Sequence, residues 1–212
     1  MNLFRNCRTP TSAHSVATPA PRCEGLATLL RALKRDERGA ILAELALAMP
    51  LFVSFLTGIV EVGNYLLVNL KLQHSVVSIA DLVTRDEEIS EDVMQDIFSA
   101  APFIMAPYEM GEDALVIVTA ISQTEDDPAS IYWQRLGGGS LSVASEFGIE
   151  GEAPALPAGL TMRDDETILA TEIFFNYEPI IFQFISAQTI RKVSFFRPRI
   201  GALQAVEPAE GA

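Results

Sequence analysis

Hydrophobic and polar positions follow two different rules along this chain. From Ala40 the residues are almost unbrokenly apolar: the stretch from Leu45 to Val60 holds no charge over 16 residues, and the run resumes after Glu61. At a helical rise of 1.5 Å, 16 residues reach about 24 Å and the 28 residues from Ala40 to Leu67 about 42 Å. Those lengths bracket a hydrocarbon layer of ~30 Å, so the pattern predicts a transmembrane helix over residues 40–70. Pro50 lies inside it, where membrane helices accommodate proline with a kink. Beyond Glu61 the apolar residues Leu66, Leu70, Val76, Val77, Ala80 and Val83 keep helical spacing, while Asn69, Gln73, His74 and Asp81 take other faces. One helix is therefore expected to leave the membrane as an amphipathic stalk. Ser90 and Glu91 are start signals for a second helix over 90–104, with Pro102 closing it or lying just past its end. Residues 71–104 thus hold the stalk and the second helix.

After residue 105 the period changes to that of strands. Residues 114–122 (ALVIVTAIS) and 130–136 (SIYWQRL) read as a pair joined by the turn-like EDDPA. A turn or loop is expected at GGGS, 137–140, then a weaker strand over 140–147. Residues 148–166, rich in Pro and Gly, read as a long exposed loop. The strongest strand is 167–177 (TILATEIFFNY); 178–186 (EPIIFQFIS) forms a short helix or a wedge, and 189–199 is the last strand. The Phe pairs 174/175 and 195/196 each place one ring on either sheet face. The whole predicts an α+β fold: a long N-terminal helix, then a small antiparallel sheet domain over 105–199. Residues 1–24 lack periodicity and read as disordered. Residues 25–37 have the spacing of a short amphipathic helix, and residues 200–212 read as a frayed acidic tail.

Charge adds a direction. Residues 1–38 carry seven Lys/Arg against three Asp/Glu, a net of +4, whereas the rest carries eight basic and 25 acidic residues. Arg31, Lys34, Arg35 and Arg38 stand just ahead of the apolar run, which by the positive-inside rule predicts a cytoplasmic N-terminus and an exported C-terminal domain. The overall charge of −13 argues against nucleic acid. Both cysteines, Cys7 and Cys23, precede the apolar run, so the exported part has none, and a reducing cytoplasm leaves them as thiols.

Candidates for chemistry do not assemble. His14 belongs to the leader and His74 to the stalk; no G-x-S-x-G elbow is present, and GGGS lacks the GK[ST] of a phosphate loop. The acidic triplets 125–127 and 164–166 lack calcium-loop spacing and read as solvated turns. Neither catalysis, nor a cofactor or metal, nor a small-molecule substrate is expected.

The segment RDERGAILAELALAMPLFVSFLTGIVEVGNYL resembles the amino-terminal region of the TadE/TadG-like family of pilus assembly proteins, pseudopilins of the tight-adherence (Flp) type IVb pilus. The resemblance is carried by Gly39, Glu44, and Gly58, Glu61 and Gly63 in a Gly-x-x-Glu-x-Gly pattern, and loosely by the ADLV segment and the final FRPR. It implies a processing site between Gly39 and Ala40 for a prepilin peptidase, with 1–39 as a cytoplasmic leader. It departs from the family in the length of that leader and in Leu45, where an aromatic residue is common. Processing would create an α-ammonium at Ala40, unfavourable at a helix N-terminus. Glu44, about one turn further on, would neutralise it in its own chain or a neighbour's. Pro50, Gly58, Glu61 and Gly63 are the candidate helix-packing residues, small residues allowing close approach.

The resulting expectation is a minor pseudopilin or membrane-anchored assembly component. It would be single-pass in a bacterial inner membrane with its sheet domain periplasmic, and its partners would be other pilus or secretion-system subunits. A periplasmic binding or adhesin module on an uncleaved signal anchor stays open, as does a cleaved secreted protein, although no Ala-x-Ala site ends the apolar run.

Overall fold

The computed structural model describes residues 39–85, 89–181, 184–199 and 206–207. The expected leader up to residue 38, with its amphipathic 25–37 segment and both cysteines, lies outside them. The chain divides into two compact units, 1–50 and 51–212, and the division falls at Pro50. Helix α1 runs over Ala40–Val83, so the predicted span and stalk are one element with Pro50 in its interior. Its described residues before Glu61 are exposed or half-buried and overwhelmingly apolar. It is a helix long and apolar enough to cross a membrane.

The second unit is built on a four-stranded antiparallel sheet in the order β3-β2-β4-β5, with β2 at Ala114–Gln123, β3 at Ser130–Gly137, β4 at Glu166–Tyr177 and β5 at Gln188–Phe196. Strict alternation sorts the side chains. Ala114, Val116, Val118 and Ala120 of β2 join Leu169, Ile173, Phe175 and Tyr177 of β4 on one face. Against them lie Val68, Leu72, Val76, Ile79 and Val83 of α1, and Met94, Ile97, Phe98, Ala101 and Met105 of α2, Glu91–Met105. Each of the larger side chains contributes about 1.5–3 kcal/mol by leaving water. A bulge preserves this sorting in β3. Ala120 pairs with Trp133 but Ile121 with Ile131, leaving exposed Tyr132 as the extra residue, so Trp133 faces the helices and Ile131 the other side.

Helix α2 starts where its sequence says. The Ser90 hydroxyl accepts from the Val93 N–H at 3.3 Å, and Glu91 and Asp92 occupy the first turn. Its end differs from expectation: Pro102 lies inside the helix, which runs to Met105 and closes with Ala106 N–H donating to the Pro102 carbonyl. Proline removes one donor there but leaves its carbonyl free to accept.

The second face of the sheet holds the larger corrections. Residues 140–147 form no strand, and 148–166 are not simply an exposed loop. Leu141 and Val143 pack on Leu115, Ile117 and Phe174; Phe147, Leu156 and Met162 pack around Ile121, Ile131, Ala170 and Phe195. An apolar sheet face needs a cover, and with both helices on the first face this irregular segment supplies it. The Phe174/175 pair splits between the faces as predicted. The last strand stops at Phe196, where Arg197 turns to an ion pair with Glu166. No helix is assigned to the described residues of 178–186. The expected tail also departs from prediction: β6, Val206–Glu207, pairs in parallel with β1, Ile89–Ser90.

The GGGS run is explained by close approach. A Cβ on Gly137 would fall 2.4 Å from the Phe98 ring, one on Gly139 2.1 Å from the Ala114 carbonyl oxygen, and Gly138 has φ +73°. The run lets α2 and the covering segment close on the sheet at its β3 end.

Candidate functional site

Along α1 the first buried residue is an acid. Buried positions then follow as Glu61, Val68, Leu72, Ser75, Val76, Ile79, Ala80 and Val83, one helical stripe against the sheet. Glu61 is fully buried. The Tyr177 hydroxyl at the end of β4 donates to its Oε1 at 2.8 Å; the Ile180 N–H donates to Oε1 and the Ile181 N–H to Oε2, each at 3.1 Å. A carboxylate is an acceptor on both oxygens, and these three partners are all donors. The two N–H groups belong to the loop after β4, which has no ladder partner for them, and the acid supplies their acceptor.

Aromatic residues surround this junction. Tyr65 meets Tyr177 edge-to-face with ring centres 5.1 Å apart. Tyr108 donates to the Asn64 Oδ1 at 2.7 Å and lies edge-on to Phe175. Burial raises the phenol pKa of Tyr177 above its ordinary value, and its hydrogen bond to Glu61 raises it further, against a smaller opposing effect from Asn64. Burial alone raises Tyr108. A cavity of about 240 Å³ opens beside them, lined by Asn64, Tyr108, Glu109, Asp113, Tyr177 and Glu178 among others. About two helical turns beyond Asn64, the Lys71 ammonium reaches the Ile104 carbonyl of α2 at 3.5 Å.

The predicted site residues separate into three groups. Gly39, Ala40 and Glu44 lie exposed at the start of α1, in the first unit. Gly58 and Gly63 have open space where a Cβ would stand, and Pro50 is exposed within the helix. Glu61, grouped with them in sequence, instead turns into its own sheet domain. At 100° per residue Gly63 sits about 200° around the helix from Glu61, on the far side from the sheet. Sequence reasoning missed Tyr108 and Tyr177 as partners of the helix, and Asn64 as the helix residue that Tyr108 meets. For Asn64 the polar and aromatic pair Asn64-Tyr65 just after an apolar stretch was the available signal.

A second polar centre lies under the covering segment. Glu172, fully buried in the middle of β4, pairs with Arg191 of β5 at 2.7 Å, and Arg191 also reaches Glu146 at 2.9 Å. The Ser145 hydroxyl donates to Glu172, and the guanidinium lies 5.3 Å from the centre of the Phe147 ring. The signal was visible as a lone acid inside the strongest strand. A shallow cavity of about 300 Å³ beside this cluster is lined by Arg191, Glu146 and apolar residues. Its charged groups already pair with one another. Among the described residues no three His, Cys, Asp or Glu side chains gather as a metal site requires. In the triplet 164–166, Glu166 accepts from the Arg163 N–H and Asp164 from the Gln123 amide.

Comparison with known proteins agrees with the helix. Residues 39–80 match the family model described as TadE-like protein. No curated protein and no solved structure matches the chain.

Proposed function

We propose that this chain, TadE-like over residues 39–80, is a membrane-anchored component of a tight-adherence pilus assembly, acting as a minor pseudopilin through helix packing and protein contact, without a reaction of its own. The observation that carries the reading is that the matched segment coincides with a helix long and apolar enough to cross a membrane and ends within the stripe that grips the sheet domain. Gly58 and Gly63 leave the helix surface open for a neighbouring helix. The basic residues ahead of α1 support a cytoplasmic N-terminus and a periplasmic sheet domain in the inner membrane.

The test is the mature N-terminus of the membrane-purified protein, by intact mass and terminal sequencing. A start at Ala40 supports processing by a prepilin peptidase and assigns Glu44 its partner, the new α-ammonium. A retained leader sinks the processed-pseudopilin reading and leaves a permanent anchor.

A further inference from the structure

We infer that the loop after β4 is a second membrane contact, with Ile180, Ile181 and Phe184 seated in the boundary between headgroups and acyl chains of the bilayer that holds α1. The inference rests on α1 spanning a bilayer and on nothing about the pilus. Three observations meet here. Ile180, Ile181 and Phe184 are large apolar residues exposed at 66%, 47% and 58%. The Ile180 and Ile181 N–H groups both bond the Glu61 carboxylate, which holds them beside the first buried residue of α1, with exposed apolar helix residues on the turns before and after it. Leu51, Phe52, Phe55, Leu56, Ile59 and Val60, on the turns just before Glu61, are exposed too. Of the exposed residues on these turns, Leu51, Val53 and Val60 lie within about 100° of Glu61 around the helix, so helix and loop expose apolar side chains on the same side.

The backbone supports a lipid occupant. Non-helical backbone at a membrane boundary is costly when its N–H groups lose water without gaining a partner. Here a carboxylate from α1 already accepts the two N–H groups, and the residue before them, Pro179, has none to satisfy. The N–H groups of Ile180 and Ile181 are thus paired within the chain while their apolar side chains are exposed. A water-facing hairpin end is built the opposite way, with polar side chains and a hydrated backbone. Exposed Glu178 beside it disfavours an anionic surface and points to a zwitterionic one.

The experiment uses the full chain in phosphatidylcholine vesicles, with Cys7 and Cys23 replaced by serine and an environment-sensitive fluorophore on a single new cysteine. Ile181→Cys and Phe184→Cys report the loop. Leu56→Cys reports the helix, and Tyr132→Cys, exposed on β3, reports water. Quenching by lipids brominated on their chains is compared with quenching by aqueous iodide. The expected result is loss of emission from the 56, 181 and 184 positions with brominated lipid, and from position 132 with iodide alone. Lipid quenching at 56 with iodide quenching at 181 and 184 overturns the inference and leaves the span intact. Protection of 181 and 184 from both quenchers also overturns it, and makes a protein, such as a second copy, the occupant. Absence of lipid quenching at 56 removes the span itself and the inference with it.

Discussion

Glu61 and Tyr177, separated by 116 positions in sequence, share a hydrogen bond of 2.8 Å that ties the point where α1 becomes buried to the end of the central strand β4. Everything that depends on a fixed attachment of helix to sheet passes near this pair.

Tyr177→Phe removes the phenol donor while keeping the ring against Tyr65. A hydrogen bond to a charged acceptor contributes about 1.5–3 kcal/mol, and that loss is expected in denaturant unfolding followed by the fluorescence of the single tryptophan, Trp133. Glu61→Gln should cost more, because one amide N–H₂ must confront donors. Unchanged stability in both variants would falsify the view that this junction holds the domain to the helix.

Alkaline pH tests the same junction by a different route. Burial, with the Glu61 hydrogen bond, holds the folded Tyr177 phenol above its ordinary value of 10.0, and burial does the same for Tyr108. The folded state then keeps protons that the unfolded chain releases, so these residues' contribution is intact below pH 10.0 and declines as pH rises from there through the folded values. Stability measured over that range should fall less steeply in Tyr177→Phe than in the parent chain. Parallel curves would show that Tyr177 carries no share of the pH dependence.

The pair under the covering segment predicts a strong asymmetry. Arg191→Met leaves Glu172 buried without its guanidinium and should cost about 3–5 kcal/mol. The double change Arg191→Met with Glu172→Leu should cost clearly less than the sum of the two single changes. Limited proteolysis gives a second readout. Residues 145–147 are held by this cluster, so the single Arg191 variant should be cut faster between 138 and 165.

Gly139→Ala should be among the most damaging single methyl additions in the chain. Its Cβ would meet a backbone oxygen at 2.1 Å, and backbone does not give way as a side chain does. Gly63→Ala meets nothing within the chain and replaces a poor helix former, so it should raise the stability of the isolated protein by up to about 1 kcal/mol. Thermal unfolding of the two variants side by side decides the point, and equal behaviour would contradict it.

Much of this architecture was legible from periodicity. The long α1 and the strands at 114, 130 and 167 follow from spacing because their apolar patterns are set locally, by one buried face each. The cover over the second sheet face was not legible. Leu141, Val143, Leu156 and Met162 are spaced by no regular period, and what recruits them is an apolar surface formed by strands elsewhere in sequence. The pairing of Val206–Glu207 with Ile89–Ser90 was hidden for the same reason, since two-residue strands carry no pattern of their own. Glu61 stood out as a charge in an apolar run. Its partners could not be read, because they are a tyrosine and two main-chain groups brought to it by the fold.

The unbroken helix from the exposed turns before Val60 into the buried stripe has a geometric consequence. Because Glu61 and the residues up to Val83 lock the sheet onto one side of α1, the helix sets the azimuth of the whole domain. Inserting one residue between Leu56 and Val60 would turn the sheet by about 100° relative to any helix packed on the turns before it. Inserting seven residues would restore that direction to within about 20°. The helix works here as a phase element, counting residues so that the domain keeps one direction relative to the turns from Leu51 to Leu56.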